Sequence, residues 1–279
     1  MAIDAHFHCW QLARADYGWL NPTENPAVRT ICRDVSVADW QAQSQPAGVR
    51  GGILVQAVPT VAETAFLLEQ ALQHAAVLGV VGWVDWLAPD AALQVRRLAR
   101  QPYLKGLRPM LQDVADPAWI LQPAVQPALA GMADEGLVFD ALVKPLHLPH
   151  ILTLAKRYPS LQIVIDHAGK PDIAAQQWQP WADAMERLAG ETQAHCKVSG
   201  LLTEAGPRPP LTAALRWMNH LRTRFGPQRL LWGSDWPVLE LSGASYADWH
   251  ATCQTWAVPW TACEQAGLWG GNAQRMYQL

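Results

Sequence analysis

The stretch IDAHFHCW, residues 3–10, joins an apolar run to two histidines one residue apart, His6 and His8. Residues two apart in a β-strand point to the same side, so the two imidazoles can face the same space. Burying either ring without a partner would cost about 2–7 kcal/mol, which argues against a purely structural role for both. The pair therefore predicts a strand that ends in metal ligands or acid–base groups.

Seven further apolar or β-branched runs follow along the chain, and several are almost continuously apolar, as strands covered on both faces are. The predicted strands occupy residues 2–8, 51–57, 80–85, 105–110, 138–144, 162–168, 196–201 and 229–235. Amphipathic stretches separate them, and this alternation over about 250 residues favours a closed (β/α)8 TIM barrel over an open sheet. We expect an α/β fold in which residues 1–279 form one barrel domain.

Glycines mark the predicted ends of two of the intervening helices. The amphipathic stretch at residues 61–79 ends on Gly79, and the one at residues 210–226 ends on Gly226. Glycine is common just after the last helical residue because it adopts the left-handed conformation without strain.

Composition and charge narrow the class of protein. Half of the 279 residues are hydrophobic, the net charge is −3 and Lys and Arg form no run, so charge predicts neither nucleic-acid nor membrane affinity. We see no signal-peptide pattern and no apolar stretch long enough to span a bilayer. The five cysteines are scattered without a CxxC pair, which argues against a disulfide framework or a thiolate zinc site. These features predict a cytoplasmic enzyme, and they are compatible with an oligomer.

Polar residues stand at the C-terminal ends of the predicted strands, where barrel enzymes build their sites. Asp235 ends strand eight in the sequence WGSDWP. Strand eight closes beside strand one, so Asp235 should be a neighbour of His6 and His8. The alternative is a carboxylate that caps the turn at Pro237.

Strands four, five and six supply the remaining charged candidates. Asp166 and His167 should point to opposite faces of strand six, and we expect His167 to face the barrel mouth. Arg108 and Lys144 end strands four and five, where each could neutralise a substrate carboxylate or polarise a carbonyl. A salt bridge within the barrel is an equally good explanation for both. Two weaker candidates are Lys170 and Lys197.

Tryptophan is abundant, with 15 residues. Most tryptophans fill cores, but those near the predicted rim could stack on a sugar ring. The rim candidates are Trp10, Trp19, Trp83, Trp86 and Trp236.

Taken in order, the motifs resemble the amidohydrolase superfamily. The likeness runs nearly end to end and is closest to the amidohydrolase-2 branch of sugar-lactone hydrolases, of the L-fuconolactonase and L-rhamnonolactonase type. The matching stretches are IDAHFHCW, GVVGWVD, LKGLRPMLQD, LVKPLHLPHI, IVIDHAGKP, CKVSGLLTEA, GPQRLLWGSDWPV and LWGGNAQRMY.

The resemblance implies a (β/α)8 hydrolase with an active site around His6, His8, His167 and Asp235. Two-metal members use a carboxylated lysine and a further histidine on strand five, and this chain has no match for either. The resemblance therefore implies one divalent ion, zinc or manganese, on His6, His8 and Asp235, or catalysis without a metal.

The implied substrate is a small sugar lactone, from an aldonic or aldaric acid. In that reaction Asp235 would act as the base, with His167 and Arg108 as further catalytic residues. Lys144, Trp10, Trp19, Trp86 and Trp236 would bind the substrate. Two alternatives stay open: a metal-dependent decarboxylase or other lactone hydrolase acting on an aromatic-degradation acid, and a barrel that binds without catalysis.

Overall fold

The computed structural model describes residues 1–14 and 17–279. Its centre is an eight-stranded sheet with the strands in sequence order. The strands are β1 (Ala2–Phe7), β2 (Val49–Val55), β3 (Val77–Gly82), β4 (Leu104–Leu107), β5 (Val138–Ala141), β6 (Gln162–Ile165), β7 (His195–Val198) and β8 (Leu230–Trp232). Each pairs in parallel with the next. The sequence prediction of a single-domain (β/α)8 TIM barrel is confirmed.

Helices lie between the strands and follow the last one. They are α1 (Val37–Ser44), α2 (Val61–Gln73), α3 (Ala91–Ala99), α4 (Gln126–Asp134), α5 (Leu148–Arg157), α6 (Gln179–Glu191), α7 (Leu215–Phe225), α8 (Tyr246–Ala257), α9 (Ala262–Ala266) and α10 (Asn272–Tyr277). Local signals start some of them: Ser36 and Asp39 form a capping box on α1, and Ser245 and Asp248 form one on α8. Caps of this kind contribute about 1 kcal/mol each.

The last helix closes one end of the barrel. Ala273, Met276 and Tyr277 of α10 join the apolar cluster inside the sheet, which includes Ile3 of β1 and Val138 of β5. These strand residues lie at or near the starts of their strands, so α10 covers the N-terminal end. The opposite end is left for a site, as in other barrels of this kind.

One of the two glycine assignments is wrong. Gly226 does follow α7 with a φ of 71°, but Gly79 lies inside β3 and α2 already ends at Gln73. The β-branched residues around Gly79 belong to the strand, because they pack well on a pleated surface. The helical pattern and the strand pattern overlap there, and the sequence alone does not separate them.

The strands also end earlier than predicted. β6 ends at Ile165 and β8 at Trp232, so His167 and Asp235 lie just beyond their strands. His167 and Asp235 have left-handed backbones, with φ values of 50° and 57°. Non-glycine residues rarely adopt this conformation, so no sequence pattern indicates where the strand stops.

None of the helices in the described parts of the chain combines the length and apolar character that crossing a bilayer requires.

The buried carboxylate of Asp4 helps to join the two ends of the sheet. Its Oδ1 accepts hydrogen bonds from the backbone amides of His6 (3.1 Å) and Ser234 (2.8 Å). Its Oδ2 accepts from the Ser234 hydroxyl (2.6 Å), the Trp40 indole (3.0 Å) and the Tyr246 hydroxyl (3.2 Å). Two backbone bonds continue the closure, from Asp235 N to His6 O (2.8 Å) and from His8 N to Trp236 O (2.9 Å).

We expect Asp4→Ala to lower the free energy of unfolding by about 2–5 kcal/mol, because it leaves several buried donors without an acceptor. Urea unfolding followed by circular dichroism measures this. The matched control is Asp134→Ala at the exposed end of α4, which should change stability by about 0.5 kcal/mol or less. Equal losses in the two variants would contradict the role of Asp4.

Candidate active site

A cavity of about 580 Å³ opens at the C-terminal end of the barrel. The segments that follow β1, β2 and β4 to β8 line it, so nearly the whole rim contributes. Four of the five predicted catalytic or metal-binding residues reach its surface: His8, Arg108, His167 and Asp235. His6 is fully buried directly behind them.

Three histidines converge on the Asp235 carboxylate. Asp235 Oδ1 lies 3.3 Å from His8 Nε2, 3.7 Å from His6 Nε2 and 3.7 Å from His167 Nε2. His6 Nε2 and His8 Nε2 are 3.2 Å apart. The structure therefore brings together the four residues that the sequence placed at the ends of strands one, six and eight.

The spacing of these atoms fits one divalent cation. Ligands held about 2.0–2.2 Å from a tetrahedral zinc ion stand about 3.3–3.6 Å apart, close to the separations among His6, His8 and Asp235. His8 Nδ1 donates to Val55 O at 2.7 Å, so Nε2 is the nitrogen that faces the site. His6, His167 and Asp235 also have ligand atoms within 4.8 Å of one another. The donor set of imidazole nitrogens and a carboxylate oxygen suits zinc or manganese.

Protonation states at the site are set by burial and by the close packing of charges. Burial alone would raise the pKa of Asp235, but the neighbouring His167, His8 and His6 outweigh it and hold that pKa well below its usual range. Burial lowers the pKa of His167 to about 4, although Asp235 and Asp166 oppose the shift. At neutral pH the site therefore presents an ionised carboxylate beside a neutral His167.

A buried ionic network lies behind the histidines. Asp166 pairs with Arg108 Nη1 through Oδ2 (3.1 Å) and with Lys197 Nζ through Oδ1 (3.0 Å). Lys197 Nζ also donates to Asp140 Oδ2 and lies 3.2 Å from His6 Nδ1. Tyr277 of α10 donates to Asp140 Oδ1 at 2.8 Å. His6 is thus fixed from behind by charges that compensate one another.

Two members of this network correct the sequence analysis. Asp166 was expected to face away from the mouth because it neighbours His167, but both side chains face the barrel interior. β6 ends at Ile165 and the backbone turns at His167, so the alternation of a strand no longer applies. Asp140 is not among the candidates from the sequence. Its position in the middle of a buried strand could have indicated it, because a buried aspartate requires a partner.

The two charged candidates, Arg108 and Lys144, occupy different positions relative to the cavity. Arg108 fits both explanations given for it: it lines the cavity, where a substrate would bind, and it forms a salt bridge with Asp166. Its guanidinium also donates to the backbone oxygen of Gln56. Lys144 is exposed and lies outside the cavity lining, because the chain turns at Pro145 just after it. The lysine that does line the cavity is Lys170.

Of the proposed substrate-binding tryptophans, Trp19 alone lines the cavity. Trp10, Trp86 and Trp236 are buried in the core. Trp10 donates to Arg33 O (2.7 Å), and Trp236 donates to Glu240 (2.8 Å). Trp86 packs edge-on against Phe139. Closeness to the rim in sequence does not decide which way a large ring points.

We expect Lys197→Met to lower the free energy of unfolding by about 3–5 kcal/mol, because it leaves the buried carboxylates of Asp140 and Asp166 undercompensated. The matched control is Lys156→Met, which breaks an exposed pair with Glu191 and should cost about 0–1 kcal/mol. Chemical denaturation of both variants measures their free energies of unfolding. A loss for Lys197→Met no larger than for the control would argue against the network as a stabilising element.

Comparisons with known proteins agree with this architecture. A family model described as amidohydrolase matches residues 3–279. The chain is 43% identical to an L-fucono-1,5-lactonase of Burkholderia ambifaria, over 99% of this chain and 95% of that protein. It is 37% identical to an L-fucono-1,5-lactonase of Burkholderia multivorans, over 100% of this chain and 96% of that protein.

A solved structure shares the fold. An amidohydrolase from Burkholderia multivorans with bound zinc superposes with a TM-score of 0.93 at 35% identity, covering 100% of this chain and 99% of that one. With its family-model match and its relatives spanning nearly its whole length, the chain belongs to the amidohydrolase family.

Proposed function

We propose that the protein is a hydrolase that opens the lactone ring of a sugar acid, aldonic or aldaric, by attack of an activated water. The observation that carries this proposal is the ionised Asp235 carboxylate, held 3.3–3.7 Å from three imidazole nitrogens at the floor of a cavity. The two curated lactonase relatives support the same reaction. The cavity has the size of a site for a small molecule.

Asp235 is the proposed base. Its low pKa keeps it ionised at neutral pH, and its position at the cavity floor supports this role, since a water bound there would lie beside it. It accepts the proton of that water and returns it to the ring oxygen as the lactone carbon–oxygen bond breaks. A base with so low a pKa is weak, so the reaction also needs strong stabilisation of the carbonyl oxygen.

Arg108 and His167 are placed to supply part of that stabilisation. Arg108 is fixed by Asp166 and Gln56, which holds its positive charge at the cavity floor. His167 Nδ1 lies 2.9 Å from the Ser199 hydroxyl, so Nε2 is the nitrogen that faces Asp235 and the cavity. Each well-placed donor to a developing oxyanion contributes about 3–4 kcal/mol.

His6, His8 and Asp235 are the residues that would hold a divalent ion, zinc or manganese. When bound, such an ion polarises the carbonyl and lowers the pKa of water towards about 7. Arg108 Nη1 lies 3.3 Å from His6 Nε2, and its charge opposes that of a cation, but its pairing with Asp166 offsets part of the repulsion. A lactone is an activated ester, so catalysis by the side chains alone remains the alternative mechanism.

The decarboxylase alternative has less support. The curated relatives at 43% and 37% identity are lactonases, and they span nearly the whole chain. The expected cytoplasmic location and a possible oligomer stay predictions from the sequence. Five free cysteines are consistent with a reducing compartment.

We expect Asp235→Asn to lower kcat by about 10²–10⁴, because the amide cannot accept the proton of water. Proton release from a panel of aldono- and aldarolactones measures turnover, and circular dichroism checks the fold. The matched control, Asp134→Asn, removes an exposed carboxylate on α4 and should retain full activity. Near-normal turnover by Asp235→Asn would remove it as the base.

The metal assignment has a direct test in binding. Protein stripped with a chelator should take up about one equivalent of Zn²⁺ or Mn²⁺ in calorimetry. His8→Asn should weaken that affinity by at least about 10–100-fold, since changes around metal ligands alone have effects of this size. His150→Asn, on α5 and outside the site, is the control. Failure to bind either ion, together with lactone opening that chelators do not affect, would refute the metal assignment.

A further inference from the structure

The turn that follows β7 is shaped around the imidazole of His167. Ser199 Oγ lies 2.9 Å from His167 Nδ1. The next residue, Gly200, has a φ of 65°, and a Cβ atom there would lie 2.7 Å from Cβ, Cγ and Nδ1 of His167. Only glycine allows the backbone to pass so close to the ring. The turn therefore holds this imidazole in one orientation.

Ser199 does not reach the cavity itself. It is fully buried, and the cavity lining in the described part of the chain includes His167 but not Ser199. Serine, histidine and aspartate are also the residue types of a nucleophilic triad, in which the serine oxygen attacks the substrate. An oxygen enclosed behind the imidazole cannot make that attack. Any effect of Ser199 on a reaction in the cavity must therefore pass through His167.

The hydrogen bond between Ser199 and His167 indicates where the imidazole proton lies. In the described part of the chain, His167 Nδ1 is the one partner of the Ser199 hydroxyl. A neutral imidazole has one nitrogen that donates and one that accepts. If the hydroxyl donates to Nδ1, both groups are satisfied. If Nδ1 donates instead, the hydroxyl proton stays buried without an acceptor, which is unfavourable.

The opposite edge of the imidazole leads to the same assignment. His167 Nε2 lies 3.7 Å from Asp235 Oδ1, and Asp235 is ionised at neutral pH. A carboxylate is stabilised by a nearby N–H and repelled by the lone pair of a bare nitrogen. Both edges of the ring therefore favour a proton on Nε2, the nitrogen that faces the cavity.

We propose that Ser199 is a positioning residue that holds His167 with its proton on Nε2, so that His167 acts as a hydrogen-bond donor to the lactone carbonyl oxygen. This proposal rests on the proposed lactonase function. An N–H aimed into the cavity stabilises the negative charge that develops on that oxygen as water attacks, whereas a bare Nε2 would repel it. His167 is then not the base, and that role stays with Asp235.

The position of the proton can be measured directly in the unmodified protein. Long-range ¹H–¹⁵N correlation spectra of protein with labelled histidine distinguish a protonated ring nitrogen from an unprotonated one. The chain has nine histidines, and the signals of His167 are those that disappear in His167→Asn. We expect the proton on Nε2 at neutral pH, with and without added Zn²⁺. A proton on Nδ1 in either sample would overturn the proposal.

Kinetics of Ser199→Ala test the consequence for catalysis. Without the hydroxyl, the orientation of the imidazole and its proton are no longer fixed, so kcat should fall by about 10-fold, part of what a whole oxyanion donor supplies. KM should stay within about twofold, because the donor acts mainly in the transition state. Circular dichroism checks the fold of the variant. A kcat equal to that of the unmodified protein would contradict the proposed role.

The matched control is Ser44→Ala. Ser44 is also a fully buried serine, but it lies on α1, and its hydroxyl has no hydrogen-bond partner in the described part of the chain. The same loss of a buried hydroxyl should leave kcat and KM unchanged there. A fall in kcat as large as that of Ser199→Ala would show that the effect does not depend on the contact with His167.

A double variant separates positioning of His167 from a general effect on the fold. His167→Asn removes the imidazole and should lower kcat by about 10²–10³, and asparagine tolerates the left-handed backbone at this position. Adding Ser199→Ala to His167→Asn should lower kcat no further, because Ser199 acts through the imidazole. An equal further loss in this background would reduce Ser199 to a structural role and overturn the proposal.

The outcomes also separate this proposal from the one on which it rests. If the unmodified protein opens lactones but Ser199→Ala retains full kcat, the positioning role fails and the lactonase function stands. If the unmodified protein opens no lactone in the wider panel, the lactonase function fails, and the catalytic role of His167 fails with it. The spectra still decide in that case whether Ser199 sets the position of the imidazole proton.

Discussion

The need to neutralise charges buried inside the barrel governs the rest of this structure. Asp140 and Asp166 lie opposite Lys197 and Arg108, and all four side chains are almost completely buried. An unpaired charge in that position would destabilise the fold by several kcal/mol, so the four are mutually dependent. Burial raises the pKa of Asp140 to about 6. Burial also favours a higher pKa at Asp166, but Lys197, His6 and Arg108 outweigh it and hold that pKa well below its usual range. The cost of burying a negative charge is therefore compensated most fully at Asp166, next to His6.

The same network gives the site its rigidity. His6 contacts Lys197 from behind and Asp235 in front, so its ring has little freedom to move. Non-glycine residues with left-handed backbones, among them His167, Lys170 and Asp235, stand at the cavity. Such conformations cost about 1–3 kcal/mol each and persist only where the surroundings hold them. Backbone hydrogen bonds hold two of them here: Asp235 N donates to His6 O, and Lys170 N donates to His167 O.

Much of the site followed from the sequence because of one property of parallel sheets. The carboxyl ends of neighbouring strands meet at one edge, so the sequence predicts that His6, His8, His167 and Asp235 lie close together. Side-chain direction beyond the strand ends could not be predicted. Lys144 and Trp236 are near the rim in sequence, yet one points to solvent and the other into the core. Both follow a strand by only a few residues, where the two-residue alternation no longer applies.

The sequence by itself determined the eightfold alternation, the barrel and the identity of the four residues at its mouth, because periodicity and strand order are local properties of the chain. The tertiary structure decided which of the charged residues are partners. Asp140 and Lys197 are 57 positions apart, and their pairing depends on how the closed sheet brings β5, β6 and β7 around His6. It also decided which side chains line the cavity, since that lining combines segments from seven strands, and no single stretch of sequence carries it.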